Sequence, residues 1–297
     1  MAGTVLVLNL HSRKTAQLRG RIMALLQEHG LRDVECRAIE RTSELRAAIQ
    51  SAAATGADRI LVAGGDGSML TAAEALAHRE CVLGVLPLGT GNSFALTLGI
   101  GDDLERAVAT IALGRVAAVD LGIVNENRFV NFATVGLGAK IAVATPKFLK
   151  RIAGPLAYVV GGVVPALRSR PFEATIRHDD AELKLRTQQI VVASGRMFGK
   201  RPILPDAAVT DGLLSFFATS GVSTVELARA LLAFALGKHT ALADAYGFSA
   251  REIEIRAEPE EPVNGDGEPL TRTPAHFSVD RRALQVFVPP DFVDGAV

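Results

Sequence analysis

Tryptophan is absent from this chain, tyrosine and cysteine occur twice each, and the charges cancel, with 32 Lys and Arg against 32 Asp and Glu. Each scarcity excludes something. Cys36 and Cys81 stand far apart and share no metal or redox spacing, so a disulfide framework is not encoded and a reducing compartment is expected. Zero net charge argues against a basic nucleic-acid binder. No long hydrophobic run is present. The longest near-apolar stretch, 152–167, holds two prolines and three glycines and is too short to span a bilayer comfortably, so a buried or interfacial helix is expected there. The first residues place apolar before basic side chains, the reverse of a secretory signal, and none is expected. What is plentiful is apolar: 48% of 297 residues, against 22% charged. That suffices for one large domain or two ordinary ones.

The first third alternates between two periods. Residues 4–9, 59–63 and 81–86 are short apolar runs of strand length. Residues 16–29 and 43–55 carry helical spacing and stop at Gly30 and Gly56, as helix C-caps do. Asp102 is placed to cap a helix over 103–113. Strand and helix in alternation predict a doubly wound, mostly parallel sheet. Beyond residue 120, the stretches 172–178, 182–186, 252–257, 275–279 and 283–288 alternate apolar and polar, the pattern of antiparallel strands. A helix is expected over 225–236, and 259–274, rich in Pro, Gly, Asp and Glu, reads as a loop. The expected fold is therefore an α/β domain over 1–120 and a mostly antiparallel β-sandwich domain over 121–284. The tail, 285–297, is a candidate to return to the first domain.

Gly64-Gly65-Asp66-Gly67-Ser68 falls at the end of a parallel strand and the start of a helix. Glycines there let the backbone turn and approach a ligand. The helix start offers amides and a positive dipole end, which suit phosphate. An aspartate would repel phosphate directly, so it is read as acting through magnesium or water, or else as a capping residue, and Ser68 is read as the helix N-cap. A Walker A loop is excluded, because no Gly-Lys-Ser/Thr follows. A dinucleotide fingerprint is excluded because Leu70 stands where its third glycine would be. A second turn, Gly89-Thr90-Gly91-Asn92, follows the next strand. Adjacent strands put both loops at one sheet edge, and two polar glycine loops there exceed what plain turns need.

The pair GGDGS and PLGTGNSFA resembles the catalytic domain shared by diacylglycerol kinases, sphingosine kinases and soluble prokaryotic lipid kinases. Asp120-Leu121-Gly122, Phe129-Val130-Asn131, Gly136-Leu137-Gly138, Asp211-Gly212-Leu213-Leu214 and Asp266-Gly267-Glu268 follow in that family's order. The resemblance implies an ATP- and Mg-dependent transfer of a γ-phosphoryl group to a lipid hydroxyl. It implies that Gly64, Gly65, Asp66, Gly67, Ser68, Gly89, Thr90 and Asn92 hold nucleotide, with Asn9 and Thr42 nearby (Thr42 is otherwise a helix N-cap). Glu268 would accept the hydroxyl proton, with Asp66 and Asp266 sharing the catalytic work. Asp211, helped by the carbonyls of Ala208 and Leu213, would bind magnesium, and Asp120 would join the metal network. The β domain would grip the acyl chains, ATP would lie between the domains, and 147–170, apolar with basic ends, would face the membrane. A cytoplasmic protein working peripherally at the inner membrane face follows. Exposed strand edges admit a homodimer.

Three departures stand out. Ser93 replaces a usual acid, Leu96 a common arginine, and Asn9-Leu10-His11-Ser12-Arg13 a Pro- and Gly-containing loop. The loss of a carboxylate at Ser93 leaves a kinase of weaker metal affinity, or a nucleotide-binding regulator, as an alternative. A kinase of a soluble substrate such as NAD, which shares the GGDG turn, is the other.

Overall fold

The computed structural model describes residues 3–10, 13–144, 170–198, 201–202, 204, 207–220 and 245–294. The expected helix over 225–236 and the stretch 147–169 lie outside the described residues. The chain forms two compact units, Met1–Asp120 with Arg281–Ala296, and Leu121–Asp280.

In the first unit, β1 (Gly3–Asn9) is buried at every interior position, as a strand covered on both faces must be. It lies between β2 (Val34–Ile39) and β3 (Ala57–Gly64), and β3 pairs with β4 (Val82–Pro87), all in parallel. Five helices accompany them: α1 (Arg13–Glu28), α2 (Leu45–Ala54), α3 (Asp66–Leu76), α4 (Ser93–Thr97) and α5 (Leu104–Leu113). Helix α1 packs on α5, and α2 on α3. The ion pairs Arg21–Glu105 and Arg46–Glu74 join the same two couples. Helices thus cover the sheet in two sets, as double winding requires. Asp103, rather than Asp102, caps α5, because its carboxylate accepts the Arg106 amide at 2.9 Å.

Strand β5 (Arg115–Val124) leads into the second unit. There follow β6 (Asn127–Phe129), β7 (Phe132–Gly136), α6 (Leu137–Ala144), β8 (Phe172–His178), β9 (Ala181–Thr187), β10 (Gln189–Ala193), a two-residue pair β11 (Met197–Phe198) and β12 (Arg201–Pro202), then β13 (Leu214–Thr219), β14 (Ala245–Ala250), β15 (Glu252–Glu258), β16 (Pro262–Gly265), β17 (Glu268–Arg272) and β18 (Ala275–Val288). One antiparallel sheet runs β14-β13-β10-β7-β16-β17, and opposite it β9-β8-β15 continues into the start of β18. Their facing side chains make one core, with Phe172, Ile176, Ile253 and Phe277 from one sheet against Val135, Ile190, Val192 and Phe216 from the other. Phe129 meets Phe277 edge-on at 6.4 Å.

The structure corrects two expectations here. Residues 259–274 are not a loop: β16 and β17 form a hairpin inside them, closed by Asp266-Gly267. The stretches 275–279 and 283–288 belong to one strand, β18, whose far end pairs in parallel with β4 through Val286 and Leu83. Polar Asp280-Arg281-Arg282 breaks the apolar pattern but not the strand.

Phe277 is fully buried, so Phe277→Ala should lose about 3–5 kcal/mol through transfer and cavity terms. Urea unfolding followed by circular dichroism measures this. A loss under 1 kcal/mol would mean that the two sheets do not share one core.

Candidate active site

Parallel strands bind ligands at their C-terminal ends, near the point where strand order reverses. In the order β2-β1-β3-β4 that point lies between β1 and β3. Asn9 ends β1, Gly64 ends β3, and the turn Gly89–Asn92 follows the end of β4 at Pro87. The Asn9 Nδ2 donates to Thr42 Oγ1 at 3.0 Å. Thr42 opens a 3-10 turn (Thr42–Glu44) whose flanking residue is Arg41, so it is not the cap itself. Glu44 reaches back to the amides of Glu40 and Arg41 instead.

The two glycine loops touch. The Leu88 amide donates to the Gly64 carbonyl at 2.9 Å. A Cβ on Gly89 would stand 2.6 Å from Gly65 Cα and 2.9 Å from Asn92 Oδ1. No side chain fits at Gly89 without parting the loops. Gly67 differs: it is exposed, in the first turn of α3, with nothing within 4 Å of where its Cβ would be. The protein's own packing does not require glycine there.

Asp66 is the first residue of α3, and its N-cap is Gly65, not Ser68. The amides of Ser68 and Met69 already donate to the Gly65 carbonyl, which places Ser68 inside the first turn. The Asp66 carboxylate turns toward the second loop, where Oδ1 accepts the Phe94 amide at 3.2 Å. It is therefore an acceptor for the start of α4, whose own N-cap residue, Asn92, makes no side-chain cap bond. Asn92 adopts a left-handed conformation (φ 52°), which asparagine tolerates. Its Oδ1 accepts from Gly89 N at 2.9 Å and its Nδ2 donates to Gly89 O at 3.1 Å. The amide expected to meet a ligand is thus spent on closing the turn, while Thr90 at its tip is exposed.

Burial pushes the Asp66 carboxyl above its ordinary range, against the lowering effect of the Phe94, Ser93 and Asn92 amides and the Ser93 hydroxyl. Asp120, 2% exposed, accepts the Arg282 amide at 2.7 Å. An internal partner thus takes up an oxygen that the sequence reading gives to a metal.

In the second unit, Asp266 and Gly267 both have positive φ (49° and 89°), the conformation of a two-residue hairpin turn that Asp-Gly favours. The Asp266 carboxylate receives the amides of Val130 at 2.6 Å, Asn131 at 3.1 Å and Phe132 at 3.4 Å. It is an anchor for the turn. Glu268 follows, exposed at the start of the edge strand β17. Asp211 Oδ1 accepts the Leu213 amide at 2.9 Å, with Gly212 at φ 72°: an Asp-Gly turn leading into β13. Among the described residues no three His, Cys, Asp or Glu side chains come together. A magnesium ion would therefore rely on single carboxylates with main-chain and ligand oxygens. Asp211 is one such carboxylate, with Oδ1 engaged by the Leu213 amide, and metal binding tests whether the carbonyls of Ala208 and Leu213 join it.

Comparison with known proteins now gives the context. Residues 4–124 match the model of the diacylglycerol kinase catalytic domain, and residues 131–288 that of the YegS C-terminal NAD kinase beta sandwich-like domain. A relative in Cronobacter sakazakii named "Probable lipid kinase YegS-like" is 32% identical, over 98% of this chain and 97% of its own length. "Probable lipid kinase YegS" of Escherichia coli is 29% identical, over 97% and 96%. The crystal structure of a diacylglycerol kinase from Bacillus anthracis superposes with a TM-score of 0.76 at 20% identity, covering 98% of both chains. The chain belongs to the YegS-like lipid kinase family.

The glycine edge lies within the stretch matched to the diacylglycerol kinase catalytic domain, and the Asp266-Gly267-Glu268 hairpin within the stretch matched to the C-terminal domain. Sequence reasoning missed the bond from Asp66 to α4 and the amide nest around Asp266. Both join residues far apart in the chain, and neither leaves a local signal. The hairpin did leave one, since Asp-Gly between two extended stretches is a strong turn signature.

Because the Asp66 carboxyl titrates above its unfolded value, it supports the fold only while protonated. That support is complete below the unfolded value and disappears as pH rises through the folded one. Asp66→Asn is uncharged throughout. Its urea midpoint should equal wild type near pH 4 and match or exceed it at pH 7, while nucleotide binding weakens. A variant less stable than wild type at pH 7 would show that the amide contacts outweigh burial.

Proposed function

We propose that the protein transfers the γ-phosphoryl group of ATP, with magnesium, to the hydroxyl of a diacylglycerol-like lipid. The observation that carries this reading is the contact of the two glycine loops, with Gly67 open beside them. A glycine that the protein's own packing does not need, at the positive end of a helix, suits the close approach of a triphosphate. Gly64, Gly65, Gly67, Ser68 and Thr90 would hold phosphates, and Asn9 with Thr42 the nucleoside side. The magnesium ion would supply charge neutralisation for the phosphates, drawing on Asp66 and Asp120, and Asp211 would hold a structural ion of its own.

Glu268 is assigned the proton. The lipid oxygen bonds to the γ-phosphorus, the bond to the β-phosphate oxygen breaks, ADP departs, and the hydroxyl proton passes to the Glu268 carboxylate. Asp266, held by three amides, keeps the turn that presents Glu268. The lipid class is supported by the second unit's six-stranded sheet, which is apolar on both faces. Ala133, Val135, Ile190 and Val192 enter the main core, and Phe132, Val191, Ala193 and Phe217 form a second cluster on the other side. A lipid substrate places the work at a membrane surface, on the cytoplasmic side where ATP is found. Among the described residues no helix is long and apolar enough to cross a membrane.

The test is incubation with labelled ATP, magnesium and mixed lipid micelles. Label is expected in the organic phase. Label in NADP instead would assign a soluble substrate, and nucleotide binding without turnover a regulator. Glu268→Gln should lower transfer at least a hundredfold, the scale of a lost general base, and leave nucleotide affinity unchanged by calorimetry. Unaltered turnover would remove Glu268 from the mechanism. Gly67→Ala should raise stability by up to about 1 kcal/mol, as glycine gives way to a better helix former, yet weaken ATP binding. Unchanged binding would take phosphate away from that turn.

A further inference from the structure

Asn264 is a polar side chain on an apolar sheet face. It stands opposite Thr134 in β7, Thr134 stands opposite Val191 in β10, and Val191 opposite Phe217 in β13. Paired residues share a face, so one row across the sheet reads Asn264, Thr134, Val191, Phe217. Its far end belongs to the second apolar cluster, with Phe132, Ala193 and Leu204. Its near end is polar and lies beside the Asp266-Gly267-Glu268 turn, with Asn264 opposite Pro269 and the next residue, Gly265, opposite Glu268. The row spans three strand spacings, about 14 Å.

The orientation of the Asn264 amide is fixed chemically. Its Oδ1 accepts the Gly267 amide at 3.1 Å, and only an oxygen can accept from that N–H. The Nδ2 must therefore occupy the other position. Asn264 is 4% exposed, and its Nδ2 has no hydrogen-bond partner among the described residues. A buried amide donor without an acceptor is destabilising, and a Thr or Ser here could accept from Gly267 with one fewer donor. The donor is held at the polar end of an apolar row, one rung from the proposed base.

We propose that Asn264 is a substrate-contacting, specificity-determining residue whose Nδ2 donates to an ester carbonyl of the lipid. The inference rests on the lipid kinase reading above. An ester carbonyl suits the site because it accepts and never donates. β17 is the last strand of its sheet among the described residues. A glycerol backbone held at Asn264 therefore reaches Glu268 around one strand edge.

The experiment compares a diacylglycerol with the dialkyl ether of the same chain lengths, which lacks the carbonyls, on the full-length wild type and on Asn264→Asp. The variant keeps an oxygen for Gly267 and removes the donor. Wild type should prefer the ester by about tenfold or more in kcat/KM, the scale of leaving a buried donor unpaired, mostly through KM. In Asn264→Asp the ratio should fall toward one. Equal use of ester and ether by wild type would overturn the inference while leaving the lipid kinase reading intact, and this arm needs no variant to fold. A variant that slows both lipids while preserving the ratio would also overturn it, assigning Asn264 to the turn alone. Phosphorylation of neither lipid by wild type would overturn both readings.

Discussion

The bond from the Asp66 carboxylate to the amides that open α4 is the constraint on which the glycine edge of the first unit depends. α3 and α4 start from neighbouring strands, and each start leaves amides that its own helix cannot satisfy. At α4 the residue in the capping position is a left-handed asparagine whose side chain is already closed on Gly89. An acceptor must come from elsewhere, and it comes from the first residue of α3, 28 positions earlier. The contact between Gly65 and Gly89 is what brings the carboxylate within reach. The two loops are therefore one object, and the charge lodged among glycines sits where larger side chains would have pushed its acceptor away from its donors. Desolvation is the cost, visible in the raised pKa.

Three more aspartates repeat this device. Asp120 takes the Arg282 amide, Asp211 the Leu213 amide, and Asp266 three amides of 130–132. A carboxylate has more lone pairs than one amide can use, so structural anchoring and a further ligand are compatible on the same side chain. Asp266 carries the anchoring furthest, since main-chain amides engage both of its oxygens. Glu268 differs in kind, as an exposed acid on a backbone that its anchored neighbour Asp266 holds still. That division, one acid bound to main-chain amides and one at the exposed start of a strand, separates two residues that the sequence presents as a pair.

The readable parts of the sequence were those in which chemistry is local. Continuous apolar runs marked β1, β3 and β4 because a strand covered on both faces has no polar side to show. Gly30 and Gly56 marked helix ends because their positive φ excludes most other residues. Period-two alternation marked β8, β9 and β15. Where the deciding partner is distant, the pattern failed. Ser68 looks like a cap, but the helix starts at Asp66 because that residue's bond lies across the loops. Asp102 and Asp103 are equivalent caps on paper, and only the Arg106 amide separates them. The hairpin of β16 and β17 was hidden by prolines and charges that usually mean a loop, although its Asp-Gly turn was in view. The glycine motifs, by contrast, identified the sheet edge directly, because close backbone approach admits no substitute for glycine.

The second unit's sheet also explains why composition alone could not announce a lipid. A sandwich needs one apolar face per sheet, and the alternation of β7, β10 and β13 supplies it through Ala133, Ile190, Val192 and Phe216. The intervening positions, Phe132, Val191, Ala193 and Phe217, should then be polar, as in a sheet wetted on its outer side. They are not, and strands apolar on both faces read in sequence like those of a buried parallel sheet. The second apolar face is itself buried, with Leu204 and Ala207 packed into its cluster, and only toward Thr134 and Asn264, beside the acidic turn, does it become polar. A segment packed on that outer side removes the wet face, and with it the alternation by which an antiparallel strand is read.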